Sequence, residues 1–139
     1  MSLVLDCSAT LAFLLDDEGT EQSFSVLKQI AENGAIVPPL WAFEVGNSLT
    51  MAMRRNRINA ELRDKAMQTL NGFDIQVDQG SLDQAWRDTV ELADQYRLRV
   101  YDAAYLELAR RRMLPLATLD EALSEAARQA GLVVLMQTA

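Results

Sequence analysis

Short runs of apolar residues alternate along this chain with longer segments in which apolar residues recur every three or four positions. The short runs predict buried strands, and the longer segments predict amphipathic helices. Strands that are separated by helices pair in parallel through right-handed crossovers. The pattern therefore predicts an α/β fold, a three-layer α/β/α domain with a central, mainly parallel sheet of about five strands, and a single domain over residues 1–139. The predicted strands comprise residues 3–5, 35–37, 73–77, 114–118 and 132–136.

The helical segments also predict which side chains face the core. In the second helix, Phe24, Leu27 and Ile30 form one apolar stripe. In the fifth helix, Leu82 and Trp86 are expected to point inward. Helices are predicted over residues 9–15, 20–33, 41–54, 60–71, 81–96, 101–112 and 121–130, with a charged turn at residues 16–19.

Two aspartates follow predicted strands. Asp6 ends the first apolar run, and Asp120 stands just after the fourth. Because ligands bind at the carboxyl edge of open α/β sheets, we expect both carboxylates to emerge at a site of chemistry. Two further acids lie on predicted helices: Glu44 shares a helix face with Asn47, and Asp102 stands at a helix start. We expect these four acids to converge on one pocket.

Each acid also has an ordinary structural explanation. Asp6 could form a turn, and Glu44 could be a surface residue. Asp102 could cap the helix that it opens, and Asp120 could favour the dipole of a helix whose first turn is a capping box. Two carboxylates about 4 Å apart repel by about 4 kcal/mol at an effective dielectric of about 20, so a cluster needs a proton or a cation. A divalent metal would remove that cost.

The absence of histidine narrows the chemistry. The chain contains no imidazole for a Ser-His-Asp triad, a general base or a metal ligand. A hydrolase built from the remaining residue types must use carboxylates. A metal that it holds should be bound by oxygen, which favours Mg²⁺ or Mn²⁺ over Zn²⁺.

The net charge limits the binding partners of the protein, and the single cysteine limits its cellular compartment. The formal charge of −7 argues against a generally basic nucleic-acid surface. Arginines cluster in residues 54–57 and 110–112, which permits either a basic rim around an acidic centre or solvated helix faces. Cys7 has no cysteine partner, and no basic N-terminal region leads into a long apolar run. We therefore expect a cytoplasmic protein without a membrane span.

Four blocks of the sequence, taken in order, resemble the signature blocks of the PIN domain. The resemblance is strongest to the VapC ribonuclease toxins of bacterial toxin–antitoxin pairs, and it covers essentially the whole chain. The most specific block is the run from Tyr101 to Ala109. The four blocks are Asp6-Cys7-Ser8, Glu44-Val45-Gly46-Asn47, Tyr101-Asp102-Ala103-Ala104-Tyr105-Leu106 and Thr118-Leu119-Asp120.

This resemblance implies a PIN-like fold and an endoribonuclease that depends on Mg²⁺ or Mn²⁺. It implies that a metal-activated water attacks the scissile phosphate in line. It also implies an RNA substrate, with tRNA among the candidates, a cognate antitoxin protein and a homodimer. The implied metal ligands are Asp6, Glu44, Asp102 and Asp120, and the implied positioning residues are Ser8, Asn47 and Thr118.

A catalytically silent PIN-fold module that binds an antitoxin or RNA is the alternative. Apolar side chains on the third helix would then line a partner groove, although apolar residues at helical spacing usually belong to the core. Those side chains are Trp41, Phe43, Met51 and Met53.

Two other classes of protein with an aspartate after the first strand fit the sequence less well. A response-regulator receiver needs a lysine late in the chain, where none occurs, and an aspartyl phosphatase needs an aspartate where Ser8 stands.

Overall fold

A computed structural model describes residues 2–15 and 19–136 and confirms the predicted three-layer α/β/α architecture. The charged turn predicted at residues 16–19 lies almost wholly outside the described residues. The strands are β1 (Leu3–Leu5), β2 (Ala35–Val37), β3 (Ile75–Val77), β4 (Leu116–Ala117) and β5 (Val134–Leu135). The helices are α1 (Cys7–Leu14), α2 (Glu21–Asn33), α3 (Leu40–Arg54), α4 (Ala60–Asn71), α5 (Gly80–Gln84), α6 (Asp88–Tyr96), α7 (Val100–Arg112) and α8 (Glu121–Gln129).

The five described strands form one parallel sheet in the order β3-β2-β1-β4-β5. Val4 of β1 is in register with Ile36 on one side and with Leu116 on the other. All three residues of β1 are fully buried, as a continuous apolar run in the middle of a parallel sheet should be. Because β1 and β4 are neighbours and run in the same direction, the residues that follow them leave the sheet side by side.

Helix α3 turns one apolar face to the core. Trp41, Val45 and Leu49 are buried, and the Trp41 indole N–H donates a 3.0 Å hydrogen bond to the hydroxyl of Thr10 in α1. Trp41 therefore belongs to the core and joins α3 to α1. Phe43 differs, since it is 81% exposed.

The prediction of one long helix over residues 81–96 is wrong. The structure has two helices, α5 and α6, separated at residues 85–87, where Arg87 has a non-helical backbone (φ −118°, ψ −109°). The break interrupts the helical register, so the expected inward face is not continuous. Leu82 is 63% exposed and Trp86 is 92% exposed, which overturns their assignment to the core.

The inward face of α2 is also rotated relative to the prediction. Val26 and Ile30 are buried, but Phe24 is 57% exposed, and the fully buried position beside it is Ser23. The Ser23 hydroxyl accepts a hydrogen bond from the backbone N–H of Thr20, and the Thr20 side chain accepts one from the N–H of Ser23. This reciprocal cap places Ser23 against the core and turns Phe24 outward.

None of the described helices could cross a membrane. The longest of them, α3, has 15 residues. A membrane-spanning helix needs about 20 mostly apolar residues.

Candidate functional site

Asp6 lies at the C-terminal end of β1 and caps α1. Its Oδ1 atom accepts a 2.9 Å hydrogen bond from the backbone N–H of Ala9, and its own N–H donates to the carbonyl of Ala117 in β4 at 3.2 Å. The residue is only 5% exposed. The short distance from strand to helix thus forces a carboxylate into the interior at the carboxyl edge of the sheet.

Two hydroxyl groups hold the Asp6 carboxylate. Ser8 Oγ donates to Oδ1 at 2.8 Å, and Thr118 Oγ1 donates to Oδ2. Each hydroxyl also accepts a backbone N–H from the segment after β4: Leu119 N–H donates to Ser8 at 2.9 Å, and Asp120 N–H donates to Thr118 at 3.0 Å. The two loops that follow β1 and β4 are therefore joined through these hydroxyls.

Asp120 is the N-cap residue of α8. Its Oδ1 atom accepts a 2.8 Å hydrogen bond from the N–H of Leu123. The hydroxyl of Thr118, two residues earlier, faces Asp6. The negative charge of Asp120 contributes to a raised pKa of Asp6, so the two carboxylates interact through space.

The electrostatic setting of Asp6 is unfavourable for a lone carboxylate. Burial raises its pKa from 3.8 to about 6, against the opposing effect of hydrogen bonds from Thr118, Ala9 and Ser8. Repulsion from Asp120 adds to the rise. At neutral pH this end of the sheet therefore holds a buried anion that a nearby cation would stabilise.

Glu44 on α3 and Asp102 on α7 lie within electrostatic range of each other. Glu44 is half-buried on α3, and its Oε1 atom accepts a 2.5 Å hydrogen bond from the hydroxyl of Tyr105 on α7. Burial raises the pKa of Glu44, the Tyr105 hydrogen bond opposes that rise, and the charge of Asp102 adds to it. Asn47 is exposed one turn further along α3 and takes no part in these hydrogen bonds among the described residues.

Tyr105 connects the two sides of the site. It is 2% exposed, and burial together with Glu44 raises the pKa of its hydroxyl, with a smaller contribution from Asp6. The phenol therefore remains a hydrogen-bond donor at neutral pH. Since both Glu44 and Asp6 act on its pKa, Tyr105 lies within electrostatic range of both carboxylates.

Arg99 brings a positive charge to these acids. Its Nε atom donates to Asp102 Oδ2 at 3.2 Å. This hydrogen bond raises the pKa of Arg99, and Asp120 and Glu44 contribute to the rise. Arg99 thus interacts with three of the four acids that the sequence singled out.

The arginines that end α7 have other partners. Arg111 and Arg112 contact the buried carboxylate of Asp78 at 2.5 and 2.9 Å, and Arg111 also contacts Glu107 at 2.8 Å. Arg111 stands nine residues after Asp102, which corresponds to roughly 14 Å along the helix axis. These ion pairs connect α7 to the end of β3 at a distance from the acids.

Sequence reasoning missed Tyr105 and Arg99 as site residues. Each is three positions from Asp102, Tyr105 within α7 and Arg99 at its N-cap, so spacing from that acid was the available signal. Spacing along α7 could not predict that Glu44 lies beside Tyr105, because α3 and α7 are brought together only by the tertiary fold.

The donor atoms of the candidate site suit a hard divalent cation. All its candidate ligands are carboxylate oxygens, and repulsion between carboxylates contributes to the raised pKa of both Asp6 and Glu44. In residues 2–15 and 19–136, no group of three or more Asp, Glu, His or Cys side chains is already arranged to hold a metal ion. Mg²⁺ does not require such a cage, since it commonly binds one or two carboxylates and keeps several waters. The residues therefore fit a partly hydrated ion.

Comparison with known proteins assigns the chain to a family. The family model of the PIN domain matches residues 3–129. The chain is 32% identical over 125 residues to Ribonuclease VapC3 of Pyrobaculum aerophilum, an alignment that covers 90% of this chain and 94% of that protein. The crystal structure of PAE2754 from Pyrobaculum aerophilum has the same fold, with a TM-score of 0.71, 21% identity, and coverage of 96% of this chain and 89% of that one. This chain belongs to the PIN-domain family.

Proposed function

We propose that this protein is a metal-dependent endoribonuclease, the toxin of a VapBC-type toxin–antitoxin pair. The observation that carries the proposal is the joining of Asp6 to the Asp120 loop through Thr118, at the carboxyl edge of the sheet. Glu44 and Asp102 complete the acidic site. Membership of the PIN-domain family and the likeness to a protein named Ribonuclease VapC3 support RNA as the polymer that is cut.

In this proposal, Asp6, Glu44, Asp102 and Asp120 would hold Mg²⁺ or Mn²⁺. A bound ion would place positive charge at the scissile phosphate and lower the pKa of a water that attacks it. Asp6 would be the central ligand, because the charge of Asp120 beside its buried carboxylate favours a cation there.

The surrounding side chains give the acids a fixed geometry. Ser8 and Thr118 orient the Asp6 carboxylate from two sides, and Tyr105 orients Glu44. Ligands that are oriented before the reaction need not reorganise during it, which is the main source of electrostatic catalysis. Asn47, which is exposed on α3, would contact a phosphate oxygen of the substrate.

The proposal includes partners. A toxin of this class would be neutralised by a cognate antitoxin protein, act in the cytoplasm and cut a structured RNA such as tRNA. We also propose a homodimer, for which Leu82 and Trp86 offer an exposed apolar surface. Light scattering tests this point: a dimeric mass is expected, and Trp86→Ser should reduce it.

Cleavage of RNA tests the proposed function. Structured RNA incubated with the protein and Mn²⁺ should be cut to products with 5′-phosphate ends, and EDTA should stop the reaction. Asp102→Asn should lower the rate by at least about 100-fold. Asp94→Asn, which neutralises an exposed aspartate on α6, is the matched control and should retain the wild-type rate.

Two results would contradict the proposal. The first is cleavage that persists in excess EDTA. The second is RNA or antitoxin binding with no cleavage in Mn²⁺ or Mg²⁺, which would favour a catalytically silent binding module.

A further inference from the structure

Arg99 is an exposed cation beside an acidic site. Its side chain is 72% exposed, whereas that of its partner Asp102 is only 15% exposed. Its charge also interacts with Asp120 and Glu44. In the protein without metal, Arg99 is therefore the counter-ion of the acids on the α7 side of the site.

The stability of α7 does not explain this position. Arg99 is the N-cap residue of α7, and its side chain makes no capping hydrogen bond. A cation is unfavourable at the positive end of a helix dipole, where an acid such as Asp102 is favourable by itself. The contact between Arg99 and Asp102 is thus better explained by attraction of the cation to the acids of the site than by stabilisation of α7.

Arg99 and a metal ion would compete for the same carboxylate. The Arg99 nitrogen occupies Asp102 Oδ2, an oxygen that the proposed metal would use directly or through water. Exposed ion pairs contribute little to stability, so a divalent cation could replace the guanidinium at low cost. The flexible, exposed side chain would then be free to take another anion within its reach.

In a nuclease with metal bound, the anion next to Arg99 would be a phosphate of the RNA substrate. A guanidinium binds phosphate through paired hydrogen bonds, and acidic sites need such a cation to offset their repulsion of the backbone. We infer that Arg99 exchanges partners, neutralising Asp102 in the metal-free protein and binding an RNA phosphate next to the scissile bond once the metal is bound. The RNA half of this inference rests on the proposed function, whereas the competition with metal does not.

The inference predicts opposite effects of one substitution in two assays. Arg99→Gln should lower the Kd for Mn²⁺, measured by titration calorimetry, by about two- to fivefold because a competing cation is removed. The same variant should raise the KM for RNA cleavage by about tenfold because a charged phosphate contact is lost, with kcat within about twofold of wild type. Arg99→Lys, which keeps the charge, should recover most of both values.

Arg128→Gln is the matched control. Arg128 forms a 3.4 Å ion pair with Glu125 on α8, at the same i, i+3 spacing as Arg99 and Asp102. The Arg128→Gln variant should therefore leave the Kd for Mn²⁺ and the KM for RNA unchanged. An unchanged Mn²⁺ affinity in Arg99→Gln, an unchanged KM, or a loss of both affinities together would overturn the inference. A wild-type protein that binds no Mn²⁺ and cuts no RNA would instead refute the proposed function, so the two failures are distinguishable.

Discussion

The hydroxyl of Thr118 donates a hydrogen bond to the carboxylate of Asp6, across 112 positions of sequence. Thr118 is fully buried and also accepts the backbone N–H of Asp120. One side chain therefore serves two acids, since it orients the first and fixes the loop that carries the second. The candidate site depends on this contact between the ends of β1 and β4.

Thr118→Val should weaken both the fold and the site. Valine keeps the shape but leaves the Asp120 N–H without its acceptor, so the free energy of unfolding should fall by about 1–3 kcal/mol. The pKa of Asp6 should rise further, because the Thr118 hydrogen bond lowers it. Urea unfolding and the pH dependence of Mn²⁺ binding measure the two effects.

Thr69→Val is the control for that substitution. Its hydroxyl donates only to the carbonyl of Lys65, at 2.9 Å on the exposed side of α4. It should change neither quantity appreciably. Equal effects of the two variants would contradict a special role for Thr118.

Asp6→Asn should stabilise the metal-free protein at neutral pH. The pKa of Asp6 is raised in the folded state to about 6, so its ionisation opposes folding. The associated stability is fully present below the unfolded pKa of about 4 and is lost as pH rises through about 6. In EDTA at pH 7 the variant should exceed wild type by about 1–3 kcal/mol, and this gap should close as pH is lowered towards 4.

The same pair of proteins should respond differently to metal. Mn²⁺ should raise the Tm of wild type through binding to the native state and should leave that of Asp6→Asn unchanged. Asparagine remains a good helix cap, so α1 should persist in the variant. A gap between the two proteins that is independent of pH, or an equal Tm response to Mn²⁺, would contradict this account of Asp6.

The fold was predictable as far as short-range pattern determines it. The buried run Leu3–Leu5 followed by Asp6 placed a carboxylate at the edge of a parallel sheet, and the structure has it there. The break at residues 85–87 was not predictable in this way, because the apolar spacing of Leu82 and Trp86 suits a continuous helix. Their exposure is set by the backbone at Arg87, which the spacing does not encode.

The candidate site shows a similar division. Asp6 and Asp120 each follow a strand of a parallel sheet, which predicted that both would emerge at its carboxyl edge. The structure adds that the two strands are neighbours. Tyr105 and Glu44 are 61 positions apart in sequence, and their hydrogen bond depends on how α3 and α7 pack. Contacts between helix side chains of this kind need the three-dimensional structure.

Tyr105→Phe should loosen the Glu44 side of the site without unfolding the protein. The phenol is the hydrogen-bond donor that opposes the burial of the Glu44 charge, so its loss should raise the pKa of Glu44. We expect the Kd for Mn²⁺ to rise by about tenfold, the equivalent of one charge-assisted hydrogen bond. Calorimetric titration measures it, with Tyr96→Phe on α6 as the control that should bind Mn²⁺ normally.

Asp78→Asn should affect stability and leave metal binding intact. Although burial acts in the opposite direction, hydrogen bonds from Arg111, Arg112 and Ser81 hold the pKa of Asp78 far below its usual range. The stability that this carboxylate provides is present above its unfolded pKa and is lost as pH falls below about 4. At pH 7 the variant should lose about 1.5–3 kcal/mol in urea unfolding, a deficit that shrinks in acid. A weakened Mn²⁺ response would contradict the separation of these ion pairs from the acidic site.

Anomalous diffraction from a crystal soaked in Mn²⁺ tests the central claim most directly. The claim is that acids carried by separate elements share one divalent ion at the carboxyl edge of the sheet. The account predicts an anomalous peak at bonding distance from a carboxylate oxygen of Asp6, with Glu44, Asp102 or Asp120 bound to the same ion directly or through water. A saturating soak that gives no peak there, or a peak held by other residues alone, would contradict it.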